Sequence, residues 1–286
     1  MQLAIVIIAS LFCLGGSEAN NGTYGYHVNI GIPKAQWLVL YERTSSRIVG
    51  GSEVSDVTKY PHQAGIIVTL TSGWTSVCGG SLISRTRVLT AAHCWWDGES
   101  RGKKLTIVLG SLKLFSGGVR QDTSDILVHM QWDPEQVLYD IAMVKIKEVT
   151  YNNDIQAVPL PTLGDTHEKY NGLQAVATGY GKISDAQNNF PTTTSLYHTT
   201  LTIITNSECQ KSFKDVTLHA SHLCTSGLKR SGTCDGDSGG PLTVLWKNSN
   251  TLVGVVSFGL STGCETGMPS VYTRVTAFLT WIQSNM

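Results

Sequence analysis

The chain lacks an excess of charge of either sign: Lys plus Arg and Asp plus Glu each number 21. That balance argues against nucleic acid or an anionic membrane as its main partner. Charge of any kind is sparse, 15% against 41% hydrophobic residues, which excludes a disordered chain. No C-x-x-C pair is present, so the spacing most typical of a zinc site is missing. Beyond the first residues no apolar run is long enough to cross a membrane. There is no internal repeat and no low-complexity tract. What is left, at 286 residues, is one large globular domain or two small ones, each able to bury a core.

Leu3 to Leu14 forms an apolar stretch of signal-peptide length, with the small residues Ser17 and Ala19 after it. The basic flank is weak, only the Met1 amine, and a buried strand is the alternative. The reading taken is a signal peptide over 1–19, cut after Ala19 or, second, after Gly16, and a secreted product. Of seven cysteines Cys13 falls in this segment, leaving Cys78, Cys94, Cys209, Cys224, Cys234 and Cys264. An even count in a secreted chain points to disulfides, although six cysteines allow fifteen pairings.

Residues 20–47 differ in character from the rest of the chain. They hold Tyr24, Tyr26 and His27, show little apolar alternation and end in the polar run RTSSR, which reads as a removable pro-segment. Asn21-Gly22-Thr23 is a glycosylation sequon whose use stays open. From Ile48 onward short β-rich runs recur, such as Ala64–Leu70, Arg87–Thr90, Leu105–Leu109, Ile141–Ile146, Leu196–Ile204 and Leu252–Phe258, separated by Gly, Asn, Asp and Ser clusters. This is the pattern of a sandwich or barrel. One helix is predicted, over Thr276–Ser284, from the stripe Phe278, Leu279, Trp281 and Ile282. Pro159-Leu160-Pro161 is a candidate crossover between two halves.

Three local contexts carry chemistry. Gly236-Asp237-Ser238-Gly239-Gly240-Pro241 surrounds a serine with glycines that let backbone N–H groups approach a reacting carbonyl. A serine hydroxyl is a poor nucleophile without a base. Thr90-Ala91-Ala92-His93-Cys94 supplies a histidine at the end of a strand-like run, and Asp140 opens the apolar run Asp140–Val144. Each alone reads as a turn or a structural residue; the three in the order His, Asp, Ser are hard to obtain by chance.

Together with Ile48-Val49-Gly50-Gly51, Ser257-Phe258-Gly259 and Pro269–Thr273, these stretches resemble the chymotrypsin-like, trypsin-fold serine proteases, and they spread over the whole of 48–286. The resemblance implies an all-β fold of two six-stranded antiparallel Greek-key barrels, about 48–160 and about 161–286, closed by a C-terminal helix. It implies that Ser238 attacks the peptide carbonyl, His93 takes and returns the proton, Asp140 holds the imidazole, and the N–H groups of Gly236 and Ser238 form an oxyanion hole. It also implies the bridges Cys78–Cys94, Cys209–Cys224 and Cys234–Cys264, and activation by a trypsin-like protease cutting after Arg47, so that the new Ile48 amine pairs with Asp237.

The resemblance further implies that specificity is set at Gly232, six residues before the nucleophile, with Gly259 and Ser270 on the walls. With no carboxylate at Gly232, cleavage after Lys or Arg is not expected, and an open neutral slot suits Phe, Tyr, Leu or Met. Elastase-like or broad cleavage is the alternative, because Ser270 could shorten the slot. Asp235 at the lip could disfavour acidic substrate residues. Ser111–Gln121 carries no carboxylate, so no calcium site is expected there, and no metal or cofactor elsewhere. The expected partners are protein and peptide substrates, an activating protease and protein protease inhibitors, with no nucleic acid and no membrane, for a monomer. A non-catalytic binding relative is the rival of another class, and a regulatory cascade protease a second. The pro-segment has no cysteine and resembles those of insect gut proteases, which favours a digestive enzyme in a gut lumen.

Overall fold

The computed structural model describes residues 23–41, 52–181, 195–214, 216–228, 232–233, 237–259 and 266–286. The expected signal peptide, Asn21, the Arg47-Ile48 cleavage site, Asp235, Gly236 and the Cys234–Cys264 bridge lie outside the described residues.

After the short strand β1 (Ser52–Glu53), the first half builds on β2 (Gln63–Leu70), whose residues are nearly all buried. β2 lies between β3 (Thr75–Ser84) and β5 (Gly102–Leu109), with Ile66 opposite both Cys78 and Ile107. β4 (Arg87–Thr90), β6 (Val119–Thr123), β7 (Ile126–Val128) and β8 (Ala142–Lys145) complete an antiparallel sheet in the order β6-β5-β2-β3-β4-β8-β7. One face carries Ile66, Val68, Leu82, Val88, Leu105 and Ile107, all essentially inaccessible. Truncating one such leucine to alanine costs about 2–5 kcal/mol.

The second half comprises β9 (Gln174–Gly179), β10 (Tyr197–Ile204), β11 (His222–Thr225), β12 (Pro241–Trp246), β13 (Ser249–Phe258) and β14 (Ser270–Arg274). The order is β1-β10-β11-β14-β13-β12-β9, and because β10 also pairs with β9 the six strands β9–β14 close on themselves. Closure removes free sheet edges. Both halves are thus barrel-like sheets, the second closed and the first open between β6 and β7.

The chain ends where the periodicity predicted, in a 3₁₀ turn (Val275–Phe278) running into a helix (Leu279–Ser284). Val275, Phe278, Leu279 and Ile282 pack into the core of the first sheet, so the last residues of the second half seal the first. Arg87 fixes that end by donating to the carbonyls of Asn285 (2.9 Å) and Met286 (3.1 Å).

One element was not expected. Residues 23–41, within the 20–47 segment read from sequence as removable, hold a five-residue π turn (His27–Gly31) followed by the helix α1 (Ile32–Tyr41). Ala35, Trp37 and Leu38 of α1 join Val77 and Val108 of the first half and Tyr180 and Leu196 of the second in one buried cluster.

Candidate active site

β4 and β8 are antiparallel neighbours, with Thr90 opposite Ala142. The residues just after β4 and just before β8 therefore emerge at the same end of the sheet. There the 3₁₀ turn Ala92–Cys94 aims His93 inward, and Asp140 follows Tyr139, whose φ of 59° turns the chain into β8. His93 Nδ1 lies 2.8 Å from Asp140 Oδ2, and the His93 backbone N–H donates to Asp140 Oδ1 at 3.0 Å. The carboxylate thus grips ring and backbone together. With Nδ1–H donating, the Nε2 lone pair points away from the acid.

The second half holds the same carboxylate. Ser257 Oγ on β13 donates to Asp140 Oδ2 at 2.6 Å, and Thr273 Oγ1 on β14 donates to the Asp140 carbonyl at 2.7 Å. Complete burial alone would raise the Asp140 pKa; the His93 charge and the hydrogen bonds from His93 and Ser257 outweigh it and hold it below the usual carboxylate range.

Ser238 stands in the turn before β12. Its carbonyl accepts from Gly79 N–H of β3 at 2.7 Å, and the Gly239 N–H donates to Val256 O of β13 at 2.8 Å. The approach needs small residues: a β-carbon on Gly79 would stand 2.9 Å from Gly240 Cα. The bridge Cys78–Cys94 ties the strand beside Gly79 to the residue after His93, and Cys209–Cys224 staples the second half, both as expected. Cys78, His93 and Cys94 put ligand-type atoms within 4.8 Å of one another, but both sulfurs are in the disulfide and offer no thiolate.

The three residues assigned to the substrate pocket fall along the ends of β13 and β14 and the segment before Ser238. Among the described residues, a side chain at Gly259 would meet nothing within 4 Å. Ser270 is buried, and its side chain bonds the hydroxyl of Tyr272, which Thr225 and Thr233 also reach. Burial, the largest cause, pushes the Tyr272 phenol up to about 12, so it stays a neutral donor. Ser257, Thr273 and Tyr272 were quoted only as parts of motifs, and their contacts follow from strand register that residue spacing does not reveal.

His93 itself is wholly inaccessible, and its Nε2 has no hydrogen-bond partner among the described residues. The Tyr26 ring covers it, with ring centroids 4.8 Å apart at 64°. No sequence signal pointed to this contact.

The model of the trypsin family matches residues 48–282. A collagenase of Hypoderma lineatum is 34% identical over 246 residues, 86% of this chain and 90% of its own length. Chymotrypsin-2 of Vespa crabro is 34% identical, covering 83% of this chain and 99% of its own. A solved structure of HL collagenase superposes with a TM-score of 0.75 at 34% identity, over 83% of this chain and 98% of that one. Among the described residues no helix is long and apolar enough to cross a membrane. The chain belongs to the trypsin family and is a chymotrypsin-like serine endopeptidase, acting on protein substrates.

Proposed function

We propose that His93, Asp140 and Ser238 are the triad of this endopeptidase, that it is secreted as a precursor cut after Arg47, and that it cleaves after large apolar residues. The observation that carries the assignment is the double grip of Asp140 on His93, reinforced by Ser257 from the other half. In the reaction Ser238 Oγ attacks the peptide carbonyl while Nε2 of His93 accepts its proton. Nε2 then returns that proton to the leaving amine, Asp140 stabilises the imidazolium throughout, and water repeats the sequence on the acyl-enzyme. The N–H groups of Gly236 and Ser238 receive the oxyanion.

Activation is supported by reach. β1 pairs with β10 (Ser52 opposite His198) and β10 with β9 (His198 opposite Thr178), while Asp237 Oδ1 accepts from Gly181 N–H at 2.8 Å just beyond β9. Two ladder steps span about 10 Å, and the four residues from Ile48 to Ser52 reach about 13–14 Å when extended. A freed Ile48 amine can therefore meet Asp237, and breaking such a buried pair from one side costs about 3–5 kcal/mol, enough to order or release the neighbouring turn.

The neutral pocket, with no side chain at Gly259 on its wall, supports cleavage after Phe, Tyr, Leu or Met. The test is a peptide-library cleavage profile of the cut and separated mature chain, run beside Ser238→Ala. Cleavage after large apolar residues that vanishes in the variant is the expected result. Cleavage confined to Ala or Val replaces the pocket reading with the elastase-like one, and activity that survives in Ser238→Ala removes the triad assignment.

A further inference from the structure

A base that must pass a proton between a serine and a leaving amine has to be reachable by substrate. Here the Nε2 of His93 is buried with no partner among the described residues, and a ring packed on the imidazole belongs to the segment that activation is meant to remove.

The seat of that segment is specific. Tyr26 is 1% exposed; its ring lies on His93 and its hydroxyl donates to Val77 O on β3 at 2.7 Å. His27 N–H donates to Asp97 Oδ2 at 2.7 Å, and its ring Nδ1 meets Ser76 Oγ at 2.8 Å. Gly25 N–H donates to Asp97 O at 3.2 Å. Gly31 is needed for the approach, since a β-carbon there would collide with Ser76 Oγ and crowd the Tyr26 ring. Behind this clamp α1 buries Ala35, Trp37 and Leu38 against both halves. The contact therefore has an aromatic anchor in a closed pocket, directed polar bonds around it and an apolar flank, which is the anatomy of a binding interface.

No cysteine lies in residues 20–47, so nothing covalent holds the segment once the chain is cut after Arg47. Among the described residues, 23–41 hold their seat through their own side chains and backbone. We propose that residues 23–41 are an active-site-directed inhibitor of this protease, and that after cleavage at Arg47 they remain docked over His93 as a separable ligand. Cleavage then yields a complex, and hydrolysis begins when the segment leaves. Before the cut the segment is tethered at an effective concentration in the millimolar range; after it, occupancy depends on total concentration. The inference rests on the catalytic role of His93 proposed above.

The experiment cuts the full precursor after Arg47, verifies an Ile48 N-terminus, and follows hydrolysis of an apolar peptide substrate on dilution. It then adds back the intact segment isolated from the cut chain. The expected result is that the segment co-elutes with the cut chain, that specific activity rises on dilution, and that re-added segment suppresses it competitively. Tyr26→Ala should weaken that suppression about a hundredfold, as loss of a buried aromatic anchor does, whereas Val28→Ala, at an exposed position, should not. Should the Tyr26→Ala precursor fail to fold, a synthetic Tyr26→Ala segment added to wild-type mature chain makes the same comparison. Activity that appears one-for-one with Arg47 cleavage at every concentration, and ignores re-added segment, overturns the proposal while leaving the protease intact. A segment-free chain with a correct Ile48 N-terminus that hydrolyses nothing sinks the catalytic reading itself, and the inhibitor reading with it.

Discussion

Two buried histidines on opposite sides of one contact behave differently. His93 and His27 are both inaccessible, both leave Nε2 without a partner among the described residues, and each has a carboxylate nearby. Asp140 reaches the ring of His93 as well as its backbone, whereas Asp97 reaches only the backbone N–H of His27, whose ring Nδ1 meets the neutral Ser76 hydroxyl. For His27, burial is the largest influence; Asp97 opposes it, the neighbouring His93 adds to it, and the pKa falls to about 4. Burial alone, then, keeps an imidazole neutral, and it takes a carboxylate on the ring nitrogen to make an imidazolium tolerable in the same surroundings. The first arrangement suits the base proposed for the reaction, whereas burial disfavours the cationic form of the docked His27.

The sharpest way to break the comparison is to make His93 resemble His27. Asp140→Asn leaves the shape but removes the charge and the tautomer control, and kcat of the segment-free enzyme should fall about 10⁴-fold, the magnitude known for this constellation in the family. A fall below tenfold would remove Asp140 from the mechanism.

The next effect is acid release of the segment. His27 has an ordinary pKa of 6.5 when free and about 4 when docked. A base with a depressed docked pKa contributes fully above its free value and loses that contribution as pH falls through 6.5 towards 4. Affinity of the segment for the mature chain should therefore drop about 30-fold between pH 7.5 and pH 5. The charged and titratable groups facing the ring are Asp97 and His93, and Glu99 stands beside Gly25. Binding measured by fluorescence anisotropy on Ser238→Ala mature chain checks this; His27→Gln should flatten the profile, and an unchanged wild-type affinity would refute it.

The smallest effect concerns the outer support of Asp140. Ser257→Ala removes one donor from a buried carboxylate, a loss of about 1.5–3 kcal/mol in such bonds, and kcat/KM should fall about tenfold with KM little changed. A change confined to KM would place Ser257 in substrate binding instead.

The two observed bridges, the meeting of His93 with Asp140 and most of the strands were legible because each rests on local signals: the cysteine beside His93, the acid opening an apolar run, and the apolar runs of β2 and β13. β3 was not legible. Its sequence TSVCGGSLIS is not among the runs named as strand-like, yet it is buried almost throughout, and the Ser238 turn packs on its Gly79 with no room for a side chain. α1 was missed for a related reason. Its buried Lys34, Ala35 and Leu38, with Gly31 of the preceding turn, have the i, i+3, i+4, i+7 spacing of a packed helix, but a glycine and a lysine occupy two of those places and erase the apolar signal. Both failures come from tertiary neighbours deciding what a position needs, which is invisible in the chain alone.

Lys34 bears on the direction of time in activation. It is 1% exposed, with its ammonium 4.6 Å from the centre of the Trp37 ring. In the docked state a protease that cuts after basic residues is kept from Lys34, because that side chain is shut inside the interface. When the segment detaches, Lys34 comes into the open and the same activator can sever the helix between Lys34 and Ala35. The segment then has no intact form in which to rebind, and a reversible brake becomes a one-way ratchet.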